Sequence, residues 1–143
     1  MTTSLYDAAA LVRARFATQI TTGQSLTTLH DNVPNATIPS TGRWCRLSMR
    51  FGQQDQLTAA GGARGRYRTT AIAQVQLFEP IGEGDGTQLQ VVDAIVTAFR
   101  GIVLAGPPPV HFDPAYVSAP PFLDEGFWVQ VVTIPFRIEE QQA

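Results

Sequence analysis

Arg66-Tyr67-Arg68-Thr69-Thr70-Ala71-Ile72-Ala73-Gln74-Val75-Gln76-Leu77-Phe78-Glu79-Pro80-Ile81-Gly82-Glu83-Gly84 is the stretch around which the chain is organised. Its pattern predicts a long β-strand that ends in a Pro/Gly turn. Tyr67, Thr69, Ala71, Ala73, Val75 and Leu77 fall on one face. Arg66, Arg68, Thr70, Gln74 and Gln76 fall on the other, with Ile72 and Phe78 as apolar exceptions. This period of two marks a half-buried antiparallel strand, and Thr, Val, Ile, Tyr and Phe suit a pleated surface. Pro80 cannot donate to a ladder, and Gly82, Gly84 and Gly86 punctuate the turn that follows.

Just upstream, Arg43 to Phe51 predicts a second strand. Cys45, Leu47, Met49 and Phe51 alternate with Trp44, Arg46, Ser48 and Arg50, so the odd residues face the core. Trp44 either covers the other face where the strand begins or reaches a neighbouring subunit. The segment 52–65 is Gln- and Gly-rich, with little apolar weight beyond Leu57. Hairpin loops usually have two to five residues, so this segment is expected either to be a hairpin that extends outward and frays or to be a loop that is flexible or held by a partner.

Downstream, Asp85-Gly86-Thr87 opens a helix that runs to about Arg100, with Leu89, Val92, Val96, Phe99 and Val103 as its stripe and Ile95 and Ile102 beside it. Short strands are expected at Val110-His111-Phe112 and Tyr116-Val117, among prolines. Phe127 to Glu139 predicts a third long strand, apolar on both faces over its first half and therefore covered on both sides. Pro135 points to an edge position or a bulge. The tail 139–143 is polar and expected to be mobile.

The N-terminal part predicts a first helix over Ser4 to Thr22. Leu5, Ala8, Val12, Phe16 and Ile20 form its stripe, Ala9 and Leu11 widen it, and Gly23 stops it. Thr27 to His30 is a short strand candidate. Turns are expected across Asp31 to Asn35 and Pro39 to Gly42. The fold class is thus α+β: a mainly antiparallel sheet with two amphipathic helices packed on one face. A chain of 143 residues fits a single domain over 1–143.

Composition narrows the function. No apolar run approaches the roughly 18 residues needed to span a bilayer, and the N-terminus has no basic region or signal-like apolar segment. A protein kept on the cytosolic side, or leaving as part of a particle, is expected. The single cysteine, Cys45, excludes an internal disulfide and a multi-cysteine metal site. Net charge is −2, with no bulk attraction to nucleic acid. Every basic residue is Arg, and six of the ten lie between Arg43 and Arg68, where Asp55 is the only acid. The far end carries Asp124, Glu125, Glu139 and Glu140 against Arg137. This separation reads either as solvated strand faces or as a charged partner surface, for which Arg is the favoured basic residue.

The motifs do not describe an enzyme. Gly82-Glu-Gly84-Asp-Gly86 lacks the spacing of a dinucleotide loop, and its acids oppose an anion. His30-Asp31 and His111-x-Asp113 lack metal-ligand spacing and read as turn or strand-end residues. No Gly-x-Ser-x-Gly or Walker sequence is present. No cofactor and no metal is expected. Arg64-x-Arg66-Tyr67-Arg68 interleaves base-stacking and phosphate-holding types, but the arginines and Tyr67 point to opposite faces and make no single platform.

The order of the pieces carries a resemblance. The first helix precedes Asp31-Asn-Val-Pro34; a strand then opens Trp44-Cys-Arg-Leu-Ser-Met49. Gly65-Arg-Tyr-Arg68 leads to Ala73-Gln-Val-Gln-Leu-Phe-Glu-Pro80-Ile-Gly82-x-Gly84, a helix, and a closing strand from Trp128 to Ile138. From about Leu5 to Ile138 this resembles the tail terminator, or tail-completion, proteins of long-tailed phages and phage-like gene transfer agents. The resemblance implies a structural virion protein, made in the bacterial host cytoplasm. It implies a homohexameric ring that caps the tail tube, ends its polymerisation and joins the tail to the head–tail connector or neck. DNA would pass through the lumen without sequence-specific binding, and no catalytic residues are implied. Subunit or partner contacts are expected at Arg43, Arg46, Arg50, Gln53, Gln54, Arg64, Arg66, Arg68 and Trp128, with 53–65 ordering against the tube or an adjacent subunit. Reversing Arg46 or Arg68 is then expected to weaken assembly more than folding. Other readings are a head-completion or tube protein, or a small cytosolic ligand-binding domain that uses the Gly82 to Gly86 turn.

Overall fold

The computed structural model describes residues 4–31, 42–57, 66–82, 86–106 and 109–141. The expected turns across 31–35 and 39–42, the 82–86 turn and Arg64 lie wholly or partly outside them. Eight strands form one sheet: β1 (Thr27–His30), β2 (Trp44–Gln56), β3 (Arg66–Pro80), β4 (Val103–Leu104), β5 (Val110–Phe112), β6 (Tyr116–Val117), β7 (Phe122–Asp124) and β8 (Phe127–Gln141). The spatial order is β1-β2-β3-β8-β5-β4, with β6 and β7 also paired to β8. β1 runs parallel to β2, and the other pairings are antiparallel. The organising stretch, β3, lies between the two other long strands.

Two helices cover one face. α1 (Ser4–Phe16) continues through a wider π-helical turn, Ala17–Thr22, and α2 (Gly86–Ala98) follows β3. Ala8, Val12, Phe16 and Ile20 of the first helix meet Val91, Val92 and Ile95 of α2 over Leu47, Ala73, Val75, Val132, Ile134 and Phe136 of the sheet. The architecture is therefore the expected α+β one. This core also includes the small Ala71 and Ala73, and its Phe16 and Phe99 are both fully buried. Removing each such side chain from water contributes about 1.5–3 kcal/mol.

The stripe of α2 is rotated from the expected one. Leu89 is exposed, whereas Gln88, Val91, Val92, Ile95 and Ala98 are buried. Gln88 Nε2 donates to the Leu77 carbonyl at 2.9 Å and to the Trp128 carbonyl at 3.0 Å, which fixes the first turn of α2 to the ends of β3 and β8. A polar side chain with two backbone partners sits here where periodicity alone places a leucine.

β2 runs five residues beyond its expected end at Phe51. Phe51 pairs with Ala71 and Gln54 with Thr69, so Gly52 and Gln53 oppose Thr70 alone. This is a β-bulge. A Cβ on Gly52 would lie 3.0 Å from the Thr70 carbonyl oxygen, a tight approach that a side chain could make only if the backbone gave by a few tenths of an ångström. β8 likewise runs into the segment expected to be a tail: Glu139, Glu140 and Gln141 pair with Arg68, Tyr67 and Arg66.

Pro135 sits in a central strand, not at an edge. Its carbonyl accepts from Asp113 N at 3.0 Å, so its nitrogen also points to that side. β5 pairs with 136–138 and β6 with 132–133, so the proline nitrogen meets the gap between two short strands. The missing donor removes no ladder bond there.

Candidate functional site

The face of the sheet away from the helices is the part of the fold that the core does not use. At one end it carries a small second core. Trp44 stacks on Phe78 with centroids 3.9 Å apart and rings 3° from parallel, and Phe127 meets both edge-on at 6.1 Å. Val129 is buried with them and Leu29 packs alongside. Trp44 thus covers the outer face within its own chain. Arg46 lies over the Trp44 ring at 5.8 Å, a cation–π contact.

Further along, the outer face turns polar. The register aligns Ser48 with Gln74 and Thr133, and Arg50 with Ile72 and Pro135. Beyond β1, no described strand pairs with the free edge of β2 from Ser48 onward. An open groove of about 430 Å³ lies at the bulge, lined by Arg50, Gly52, Thr70, Ile72, Pro135 and Arg137 among others. Arg137 Nη1 is held by Asp113 Oδ1 at 3.1 Å. Arg50 is exposed, and no hydrogen bond or ion pair to a described residue engages it.

At the far end of β3 the charges meet within the chain. Arg68 Nε donates to Glu139 Oε1 at 2.9 Å, and Arg66 lies 3.5 Å from the other carboxylate oxygen. Gln54 Nε2 donates to Glu140 at 3.1 Å. The Arg68 hydrogen bond holds the Glu139 carboxyl below the usual carboxylate range, and the nearby Arg66 and His111 add to it. Antiparallel pairing of β3 with β8 therefore brings the Arg-rich half onto the acidic end of the same molecule.

Of the nine residues expected at contacts, the eight that are described, all but Arg64, separate into groups. Arg43 Nη2 donates to the Gln24 carbonyl at 3.0 Å, which anchors β2 to the end of the first helix. Arg46 rests on Trp44. Gln54, Arg66 and Arg68 gather around Glu139 and Glu140. Trp128 is half-buried in β8, between Glu79 and Leu123. Gln53, at the bulge, and Arg50 stay exposed.

The histidines and the cysteine lie in strands, His30 in β1, His111 in β5 and Cys45 in β2. His30 is half-buried, and burial, with Arg13 close by, pushes its pKa down. Burial pushes the Cys45 thiol up to about 11, against a 3.3 Å contact with Thr28 Oγ1. Among the described residues no His, Cys, Asp or Glu cluster has a geometry that could hold a metal. No described helix is long and apolar enough to cross a membrane.

Sequence periodicity did not reveal β4, β7 or the apolar surface at the β8 side. Tyr116, Val117, Phe122 and Leu123 are all exposed, with Leu123 at 64%. Prolines at 120 and 121 hide β7, and the turn that follows uses Glu125 (φ 46°) and Gly126 (φ 89°), both left-handed. That is type I′ geometry, which usually announces itself as Asn-Gly or Asp-Gly.

A family model described as phage tail terminator protein matches residues 7–136. The chain belongs to the phage tail terminator family. This is a family of structural, non-enzymatic proteins, which makes the chain a phage tail component and a virion protein, and implies contacts with other tail and neck proteins. A solved structure 21% identical in sequence matches with a TM-score of 0.65, covering 91% of this chain and 94% of that one, a likeness of fold. Comparison with curated proteins gave no match.

Proposed function

We propose that this tail terminator acts as a hexameric ring that caps the end of the tail tube, ends tube polymerisation and presents the surface to which the neck joins. DNA passes through its lumen without being read, and the subunit catalyses nothing and needs no cofactor. The chain is made in the host cytoplasm and is a component of a long-tailed phage or phage-like particle. The family match across nearly the whole chain carries this reading.

The fold supports it. One sheet face is consumed by the helical core, while the other keeps an open groove, an arginine with no partner among the described residues and an exposed apolar edge. Surfaces of this kind suit contacts made on assembly. The experiment is to add purified protein to tube protein during elongation. Growth is expected to stop at capped ends, giving short tubes with a ring of extra density at one end. Tubes of unchanged length with bare ends would overturn the reading.

A further inference from the structure

The exposed apolar side chains beside β8 lead directly into an acidic tip. Phe122 and Leu123 of β7 are followed by Asp124, Glu125 and Gly126, and the chain then reverses into β8. All of 122–126 is exposed. Glu125 holds a left-handed backbone conformation that an L side chain adopts at a steric cost. The two-residue turn therefore places two neighbouring carboxylates, Asp124 and Glu125, at the tip of an apolar hairpin.

The groove at the bulge has the opposite character. Its apolar floor is formed by Ile72 and Pro135, and its rim carries Arg50, whose guanidinium has no described partner. The other rim cation, Arg137, is already neutralised by Asp113. An apolar segment that ends in the carboxylates of Asp124 and Glu125 is complementary to this surface in charge and in polarity.

The hairpin cannot fill the groove of its own chain. Its tip adjoins Phe127 and the groove begins near Pro135, so the two lie eight residues apart on one strand. At 3.4 Å per residue that is about 27 Å of rigid β8. A second copy must supply the tip. Because tip and groove are different surfaces, the contact is head-to-tail, the kind that closes into a ring.

We propose that the Phe122–Glu125 hairpin tip of one subunit docks in the bulge groove of the next, with Leu123 and Phe122 on the apolar floor and Glu125 paired to Arg50. This rests on the ring reading above and assigns its subunit contact. Charge reversal tests it. Wild type, Arg50→Glu, Glu125→Arg and the double variant are compared by light scattering, alone and with tube ends, and by thermal unfolding. Both side chains are exposed, so all four proteins are expected to unfold at similar temperatures. Each single variant is expected to assemble at least about tenfold more weakly than wild type, since like charges then face each other. The double variant restores opposite charges and is expected to recover most of that loss. Leu123→Asp, which leaves the charge pair intact, is expected to weaken assembly as well.

Single variants that form rings as readily as wild type would overturn this contact and leave the ring reading standing. Weakened single variants with no recovery in the double variant would overturn the Arg50–Glu125 pairing. A wild-type protein that stays monomeric even at tube ends would overturn both readings together.

Discussion

The two faces of β3 share one backbone and have opposite roles. On the inner face, Ala71, Ala73, Val75 and Leu77 are sealed beneath two helices. On the outer face, only Phe78 is sealed, under Trp44, and the strand then runs through Gln76, Gln74 and Ile72 to Arg68 with no helix above it. The inner face explains why the subunit folds. The outer face has more order than folding needs: a bulge, a groove and an arginine with no partner among the described residues. The difference separates residues whose loss unfolds the subunit from residues whose loss should matter only when subunits meet.

Substitutions can break this division or sharpen it. Phe16→Ala empties a fully buried position of the inner core and is expected to cost about 3–5 kcal/mol in chemical denaturation. Trp44→Ala dismantles the second core and should cost about 3 kcal/mol, at the low end because one end of that cluster is rimmed by half-buried residues. A near-zero value for Trp44→Ala would mean that the outer face contributes nothing to folding anywhere.

Gln88→Ala leaves the Leu77 and Trp128 carbonyls without their donor and should cost about 1–3 kcal/mol, read as a lower denaturation midpoint with an unchanged slope. Arg68→Ala should cost no more than about 1 kcal/mol, because the pair with Glu139 is only partly shielded. This small term has a pH signature. The folded pKa of Glu139 is lowered, so its contribution is complete above the unfolded carboxylate range and is lost as pH falls through that range toward the folded value. The wild-type advantage over Arg68→Ala should therefore shrink in acid titration. Arg50→Ala, which removes no hydrogen bond or ion pair to a described residue, should leave stability within about 0.5 kcal/mol of wild type.

Much of the inner face was legible in the sequence, and much of the outer face was not. The alternation in β2 and β3 follows from half-burial, and a stripe at helical spacing located α1, because in each case one face sees only apolar neighbours. Gln88 escaped the same reasoning because its burial depends on two carbonyls from distant strands. The end of β2 escaped because the bulge at Gly52 breaks the alternation that identifies a strand. Glu139 to Gln141 resembled a solvated tail, yet their register against Arg66 to Arg68 makes them strand. That pairing also brings together charges that the sequence holds apart. It changes the expectation for Arg68, whose reversal would strike an ion pair within the subunit and so disturb folding too. Arg50 is the cleaner probe of assembly. The exposed apolar edge at Phe122 and Leu123 was hidden because prolines bracket it and no periodic run surrounds it.

The most direct test of the account is the molar mass of the wild-type protein by light scattering, alone and in the presence of tail-tube ends. The outer face and the hairpin tip are assigned to contact between subunits, so a closed species of about six times the 15.5 kDa chain mass is predicted in at least the second condition. A 15.5 kDa monomer in both conditions, with tube ends left bare, would contradict it.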